Sequence, residues 1–450
     1  MRLKRYGCAR RPSQAVGALF LTCGVLLAAE SITVDRVQQR YPWNGLVDID
    51  YTIAGVEGDP NDYQIEFTMT VDGKSFVASN FWDAAWCDHA TANGRQRATW
   101  NARADGIAAL AEVGVAAKLV YAPCTDADAT FAIIDLSAGP RSTGYPVRYV
   151  NADTNRTAQF NIPAYKTTKL VLKKVSAGEL WMGGHVSSNP PEAGSVESGT
   201  NRHRVRLTRD YFLGLFEVTQ KQYDQVASAT TIGFNRYVSG YVGRYAVGED
   251  QAMMPANNVW YDKIMAETES WGGANSSVQY HAFMRKLNER TTCRGQSVGL
   301  FCLPTEAQWE YACRAGTETT YYWGNATNEI ERYAWANFES LSASPKTYCH
   351  EVGLLLPNAW GFYDMAGNIE EWCSDLYGAY PAYSETEVTE DPTGAEASTD
   401  RPVRGGSYWR PRANCASGLR APSDTTGSGR NGYGNWTGNS WGFRLCENLK

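Results

Sequence analysis

Histidine is scarce in this sequence, and the five residues at positions 89, 185, 203, 281 and 350 make no His-x-x-x-His or similar cluster. This spacing excludes the common zinc motifs that pair histidines on one helix face, and glycine-rich phosphate-binding loops are absent as well. Basic residues are not in excess either, because the formal net charge is -6. A nucleic-acid-binding surface would need a concentrated basic patch, so we expect no nucleic-acid partner.

Long hydrophobic runs are missing after the N-terminus. The first 29 residues place five basic side chains before an apolar run over residues 15–29, with Ala28 and Ala29 offering a cleavage site. This order predicts a signal peptide over residues 1–29, and hence export to the periplasm, the cell surface or the extracellular space. A membrane anchor is the alternative, but the run is short for a span of about 20 residues.

Aromatic residues and glycine are abundant, with 15 Trp, 26 Tyr and 42 Gly in 450 residues. This mixture is typical of a loop-rich fold with rigid aromatic packing, or of a surface that faces carbohydrate or protein. A chain of this length and 43% hydrophobic content can bury a sizeable core and most simply forms two domains.

Residues 30–165 have the pattern of β-structure. Val47, Ile49, Tyr51 and Ile53 alternate with polar residues, and the segment 63–71 repeats this period of two before an Asp-Gly turn. Several short strands separated by turns predict an immunoglobulin-like β-sandwich without a catalytic constellation. Its expected role is that of a spacer or interaction module.

Residues 166–450 alternate short strands, long loops and a few capped helices. Thr219 with Gln222, and Thr305 with Gln308, have the capping-box spacing that begins a helix, and Gly316 should end the second one. A further helix is expected from Ser276 or Ser277 through Asn288. Loops this long in a compact domain are usually functional.

Six motifs in this half occur in a characteristic order, and together they resemble the formylglycine-generating enzyme family, also called sulfatase-modifying factor. They are Gly178 to Gly184, Glu217-Val218-Thr219, Leu303 to Gly316, Gly361 to Trp372, Arg404 to Trp409 and Gly442 to Leu445. The resemblance covers residues 166–450 and implies an α+β, C-type-lectin-like fold with little regular secondary structure. The family's founding enzymes oxidise a cysteine in a sulfatase polypeptide to formylglycine, using oxygen and Cu(I) held by two thiolates.

The resemblance implies catalytic roles for Ser407 and Cys415, but the copper pair is incomplete. The position of the first copper cysteine is Arg410, and arginine has no lone pair to give to a metal. The motif Gly-Asn-x-Trp-Glu-Trp is altered too, because Glu370 stands where a tryptophan lines the pocket. Ser407 has a second interpretation, as a loop serine that bonds local backbone.

A calcium site is also implied by the resemblance. Its side-chain oxygens would come from Asp364 and Glu371, and its backbone carbonyls from Gly367 and Ile369. Two carboxylates and two carbonyls suit a hard cation. The alternative is that both acids are ordinary solvated side chains.

Nine cysteines remain once the signal is removed, and in an oxidising compartment an odd number leaves one thiol unpaired. The family supports a pair between Cys313 and Cys446. Pairs 87–124, 293–302 and 349–373 would then leave Cys415 as the free thiol. Arg410 and Arg412 would lower its pKa if they pack near it, and alkylation should label this cysteine alone; a buried inert thiol is the alternative.

These observations favour a secreted, calcium-binding pseudoenzyme that acts as a protein- or glycan-binding scaffold. The Gly-, Ser-, Thr- and Asn-rich loop from Ala421 to Asn439, which carries Tyr433 and Trp436, is the candidate recognition surface. One alternative is a copper- and oxygen-dependent oxidase acting on a sulfatase. Another is a structural part of a larger surface or secretion assembly, with the sandwich as the docking module.

Overall fold

The computed structural model describes residues 30–108, 112–184, 202–227, 250–265, 282–298, 301–336, 349–381, 384, 386–424 and 440–449. The expected signal peptide, the expected helix start at Ser276 or Ser277, and residues 425–439 of the candidate recognition loop lie outside these ranges. Within them, no helix has both the length and the apolar character needed to cross a membrane.

Six strands build the N-terminal part: β1 Ser31–Gln39, β2 Leu46–Ala54, β3 Tyr63–Val71, β4 Lys74–Val77, β5 Gly94–Asn101 and β6 Val113–Tyr121. They form two three-stranded antiparallel sheets, with the orders β1-β2-β5 and β4-β3-β6. The inward residues of β2, such as Ile49 and Tyr51, share one core with Phe67 and Met69 of β3. The period-two alternation in the sequence therefore predicted both strands correctly.

The remaining elements are short. The strands are β7 Phe131–Asp135, β8 Tyr145–Val150, β9 Lys169–Val175, β10 Gly178–Met182, β11 His203–Leu207, β12 Tyr211–Gly214, β13 Thr291–Cys293, β14 Gln296–Ser297, β15 Phe301–Cys302, β16 Glu370–Trp372, β17 Val388–Glu390, β18 Asp400–Arg404, β19 Arg420–Asp424, β20 Trp441–Gly442 and β21 Cys446–Asn448. The helices are α1 Ala164–Thr167, α2 Gln220–Ala227, α3 Tyr261–Met265, α4 Phe283–Arg290 and α5 Glu306–Arg314. The described chain is thus a mixed fold of sheets with a few helices.

The largest sheet has eight strands in the order β14-β13-β8-β7-β9-β12-β21-β15. It differs from the sequence-based expectation, which placed everything from residue 30 to 165 in the sandwich. Strands β7 and β8 instead pair with each other and with β9, near the middle of this sheet. Local alternation identifies a strand but not its partner, so the sequence pattern could not assign these two strands to a sheet.

A four-stranded sheet, β19-β18-β16-β20, brings three of the distant motifs together. Glu371 lies opposite Arg404 on the antiparallel side and opposite Gly442 on the parallel side. The central strand β16 is buried at all three positions. This arrangement places the acidic residues of β16 between the Arg-Gly-Gly-Ser segment and the C-terminal Trp-Gly-Phe-Arg segment.

Both predicted capping boxes are present. Thr305 accepts from the backbone N–H of Gln308, whose side chain accepts in return from Thr305 N–H, and α5 begins directly after it. The helix ends one residue earlier than expected, because Ala315 already adopts the left-handed conformation with φ 46° ahead of Gly316. Thr219 and Gln222 make the same reciprocal bonds before α2. Each motif therefore satisfies two backbone N–H groups at a helix start.

Candidate functional site

The Arg-Gly-Gly-Ser segment needs its glycines. Gly405 and Gly406 have φ values of 92° and 70°, and a Cβ on Gly406 would lie 2.6 Å from the carbonyl oxygen of Asn414. Only a residue without Cβ can take this conformation at such a distance from backbone. The pair therefore holds the strand end that carries Ser407 directly against the turn that carries Cys415.

Ser407 is fully buried, and its hydroxyl has no hydrogen-bond partner among the described residues. The sequence left open that this serine bonds local backbone, and within the described part of the chain its side chain makes no such bond. Its carbonyl oxygen instead accepts from Arg410 N–H at 2.9 Å, which closes a tight turn through Tyr408 and Trp409. The turn displays Trp409, Pro411 and Arg412 to solvent while its two ends stay buried.

Arg410 and Glu370, the two departures from the family pattern, are partners. The guanidinium Nε of Arg410 donates to Oε1 of Glu370 at 3.0 Å, and both side chains are nearly buried. The other oxygen of Glu370 accepts from the hydroxyl of Ser440 at 3.2 Å. A cation and an anion thus occupy the places where the pattern has a copper thiolate and a tryptophan.

Cys415 does not have the activated thiol that its arginine-rich sequence suggested. The residue is 1% exposed, and burial, followed by the charge of Glu370 and the nearby Cys313, raises the pKa of its thiol to about 12. The expected lowering of this pKa by Arg410 and Arg412 is therefore wrong, because desolvation and a carboxylate act in the opposite direction. At neutral pH this side chain is a neutral thiol rather than a metal-binding thiolate.

Among the described residues, Cys293, Cys302, Cys313, Cys415 and Cys446 are free thiols in this structure. Two of the pairs expected from the sequence conflict with the strand order. Cys293 lies in β13 and Cys302 in β15, and five strands of the sheet separate these two strands. Cys446 lies opposite Cys302, whereas the thiol of Cys313 faces the carbonyl of Met365 at 3.5 Å. Since Cys293 and Cys302 are half-buried and Cys415 is buried, alkylation of the fully reduced, folded chain should reach the first two before Cys415.

The carboxylates of Glu217, Asp364 and Glu371 form one buried cluster. Glu371 forms a two-point ion pair with Arg444, with Nε–Oε2 and Nη2–Oε1 distances of 2.6 Å, and also accepts from Trp309 Nε1 at 2.8 Å. Asp364 Oδ2 accepts from Gly353 N–H at 2.6 Å. Glu217 accepts from the side chain of Asn368 at 2.6 Å and from Ile369 N–H at 3.1 Å.

Burial dominates the electrostatics of these acids. It raises the pKa of Asp364 to about 6. It also raises the pKa of Glu217 well above its ordinary value, and the charges of Asp364 and Glu371 add to that shift. The acids expected as calcium ligands are therefore buried members of one cluster, not solvated surface side chains.

Gly367, expected as a carbonyl ligand, has φ 76°, and a Cβ there would lie 2.2 Å from the carbonyl oxygen of Trp335. Ile369 is fully buried next to it. Within the described ranges, no group of three or more His, Cys, Asp or Glu side chains is arranged to hold a metal ion. A cation at this loop would therefore depend on backbone carbonyls for part of its coordination.

The sequence did not identify Glu217 and Arg444 as members of this cluster, although both stood in recognised motifs. The residue type alone could have identified Glu217. It is a charged side chain inside the apolar segment from Leu215 to Val218, and a charge in such a segment must find a buried partner. Arg404 also lies in a packed, hydrogen-bonded core. Arg404 and Arg420 both bind Glu306, at 3.0 Å and 2.7 Å.

Comparison with known proteins finds a matching family model and several similar proteins. Residues 163–449 match the model of the sulfatase-modifying factor enzyme 1-like domain. The formylglycine-generating enzyme of Thermomonospora curvata is 35% identical over 279 residues, which are 57% of this chain and 89% of that enzyme. The formylglycine-generating enzyme of Mus musculus is 33% identical over 120 residues, 25% of this chain and 32% of that enzyme. Among solved structures, Treponema denticola variable protein 1 aligns with a TM-score of 0.43 and 23% identity, over 63% of this chain and 96% of that one.

Proposed function

The chain belongs to the sulfatase-modifying factor enzyme 1-like domain family, and from this membership we propose that it is a diverged member that has lost copper oxidase chemistry and acts as a binding scaffold. The observation that carries the proposal is the buried ion pair between Arg410 and Glu370. Copper(I) needs soft thiolate ligands, and a guanidinium bound to a carboxylate supplies neither a lone pair nor a negative sulfur.

The residues present do not fit copper for a second reason. The remaining sulfur, on Cys415, is buried and protonated at neutral pH. Forming a thiolate there would place a second anion beside Glu370, which low dielectric surroundings disfavour. Restoring one cysteine at position 410 would therefore not recover the site unless the glutamate were also replaced.

A binding role is supported by what surrounds the blocked site. The turn between Ser407 and Cys415 exposes an aromatic ring at Trp409 and a cation at Arg412. Strand β19 of the neighbouring sheet ends at Asp424, and the Gly-, Ser- and Asn-rich sequence up to Asn439 follows it in the chain. Rigid aromatic rings among adaptable polar side chains suit recognition of protein or glycan surfaces, as they do in antibody loops. We propose that the ligand binds at this surface. The fold of the domain would be C-type-lectin-like.

Calcium is the cation that the acidic cluster would hold. Its donors would be the carboxylates of Asp364 and Glu371 and the carbonyls of Gly367 and Ile369, which are the oxygen ligands that calcium prefers. Two features support the fit. Arg444 and Lys166 contribute two positive charges against three buried carboxylates, and among the described residues Oε1 of Glu371 has a single hydrogen-bond partner, Arg444, at 2.6 Å. The cation would have a structural role, because it would tie the loop before β16 to that strand.

Export of the protein forms part of the same proposal and rests on the N-terminal basic and apolar segment. A scaffold of this kind would meet its ligand in the periplasm, at the cell surface or outside the cell. The competing function is a formylglycine-generating oxidase, and the 35% identity with the enzyme of Thermomonospora curvata favours it.

An activity assay separates the two functions. The full chain is given Cu(I), oxygen and a peptide containing Cys-x-Pro-x-Arg, and mass spectrometry reads the aldehyde, with the Thermomonospora curvata enzyme as the positive control. We expect no aldehyde from this protein. Aldehyde that forms with the native chain and disappears in Cys415→Ala, but persists in Cys293→Ala, would establish the oxidase and refute the scaffold proposal.

A further inference from the structure

Cys302 and Cys446 lie directly opposite each other on neighbouring antiparallel strands. β15 pairs with β21 through Phe301 with Glu447 and Cys302 with Cys446. Opposed residues in an antiparallel pair have Cα atoms about 4.5–5.5 Å apart. A disulfide needs a Cα separation of about 4.4–6.8 Å, so this register satisfies the backbone requirement without movement of either strand.

The surroundings of the two sulfurs are consistent with a close pair. The side chain of Asn448 donates to the sulfur of Cys302 at 3.3 Å, and the thiol of Cys446 faces the side-chain oxygen of Gln308 at 3.7 Å. Burial, and then the adjacent Cys302 sulfur, raises the pKa of the Cys446 thiol well above its ordinary value. Cys302 is half-buried and Cys446 is buried, so only the first sulfur is open to an external reagent.

We infer that Cys302 and Cys446 form a cross-strand disulfide that fastens the edge strand β15 to the C-terminal strand β21. The oxidant is a disulfide of the export compartment, on a thiol oxidoreductase or on oxidised glutathione. The Cys302 thiolate attacks it and forms a mixed disulfide, releasing one thiol. The Cys446 sulfur, after losing its proton, then displaces the second thiol, so two cysteine thiols and one disulfide become one new disulfide and two thiols.

The position of this bond gives it a consequence for the site. β15 has two residues and lies at the edge of the eight-stranded sheet, and α5 begins four residues after Cys302. α5 carries Trp309, which donates to Glu371, and Arg444 precedes Cys446 by two residues. A covalent link between Cys302 and Cys446 would fix the segments that carry Trp309 and Arg444, the two partners of Glu371, relative to each other. The link closes a long loop, and a disulfide across a long loop is expected to stabilise the folded state strongly.

Peptide mapping tests the pairing directly. The full chain, exported or incubated with oxidised glutathione, is denatured with iodoacetamide and digested with trypsin and Glu-C without reductant. Cleavage after Arg294, Glu306, Glu310, Arg314, Arg444 and Glu447 puts Cys302 in peptide 295–306, Cys313 in 311–314 and Cys446 in 445–447. We expect 295–306 linked to 445–447. A link from 445–447 to 311–314 or to the peptide carrying Cys373, or full alkylation of both thiols after oxidation, overturns the inference.

A thermal measurement gives an independent readout. Reduction with dithiothreitol should lower the Tm of the oxidised native chain by about 5 °C or more. Cys302→Ser should have the lower Tm with and without reductant. Cys293→Ser, which also changes a half-buried cysteine in a short strand, should keep the full response. If reduction lowered the Tm of Cys302→Ser as much as that of the native chain, another disulfide would cause the drop and the inference would fail. If this variant does not fold, the peptide mapping decides the pairing.

Discussion

Arg410 Nε donates to Glu370 Oε1 at 3.0 Å, and both side chains are nearly buried. Each residue alone reads as the loss of a family feature, a copper thiolate in one case and a pocket tryptophan in the other. Their contact is the basis of our proposal that an ion pair replaces the copper site in this chain. This relationship makes the two positions interdependent in stability.

The two single substitutions in this pair should together destabilise the domain more than the double substitution does. Arg410→Met leaves the Glu370 carboxylate buried without its cation and should lower the free energy of unfolding by roughly 3–5 kcal/mol. Glu370→Leu should act similarly. The double variant should recover part of the loss, because no lone charge remains, and urea denaturation at neutral pH measures all three.

The matched control is Arg97→Met, which breaks the solvent-exposed pair with Asp50 and should change the stability little, because water screens this pair. Additive effects of the two single substitutions at 410 and 370 would show that the contact contributes nothing, and would remove the support for the proposed replacement of copper.

Gly367→Ala should destabilise the loop before β16 more than its backbone angle explains. A Cβ there meets the carbonyl oxygen of Trp335 at 2.2 Å, in a backbone with φ 76°. Gly295→Ala is a close control, since its φ is 73° and no atom of the described residues lies within 4 Å of a Cβ at this position. The left-handed conformation alone costs about 1–2 kcal/mol for alanine.

We therefore expect a Tm drop in Gly295→Ala that matches this angular cost, and a larger one in Gly367→Ala. Equal drops would mean that Trp335 moves away freely, and the close contact would then have no energetic weight.

Stability should fall as pH rises through neutrality, in part because of Glu447. Burial raises the pKa of this carboxyl to about 7, while its ordinary value is 4.5. Between these values the folded state binds more protons than the unfolded state, so the free energy of unfolding decreases with rising pH. The loss is complete above the folded pKa and amounts to at most about 3 kcal/mol.

Glu447→Gln should remove this dependence, so that the variant is more stable than the native chain at pH 8 and closest to it at pH 5. Urea unfolding across that range measures the difference, with Glu66→Gln on the exposed face of β3 as a control that leaves it unchanged. A difference that does not vary with pH would contradict the raised pKa.

Calcium removal should destabilise the domain. The full chain is dialysed against EGTA, its metal content is measured, and its Tm is followed as Ca²⁺ is added. We expect Ca²⁺ to raise the Tm of the native chain, because binding to the folded state alone stabilises it. Asp364→Asn should lose this response, whereas Asp128→Asn, at an exposed position, should keep it. No retained calcium and no Tm response in the native chain would exclude the proposed site.

The features that local sequence determines were predicted well. Thr305 with Gln308 marked the start of α5, and alternation marked β2, because both depend on residues only a few positions apart. Pairing across long distances could not be predicted in this way. Arg410 meets Glu370 forty residues away in sequence, and Cys446 faces Cys302 only because two short strands share a register. The family motifs located the site, but the contacts inside it depend on the packing of segments that the motifs do not connect.

The strands β7 and β8 occupy the third and fourth places from one end of the eight-stranded sheet, between β13 and β9. The family match, however, starts at residue 163, after both of them. A gene fragment cut at that boundary would encode a domain whose own sheet is interrupted, with the inner edge of β9 exposed as a template for aggregation. Residues 131–150 therefore belong to the sheet of this domain, and recombination that preserves the sheet must carry residues from at least 131 onward.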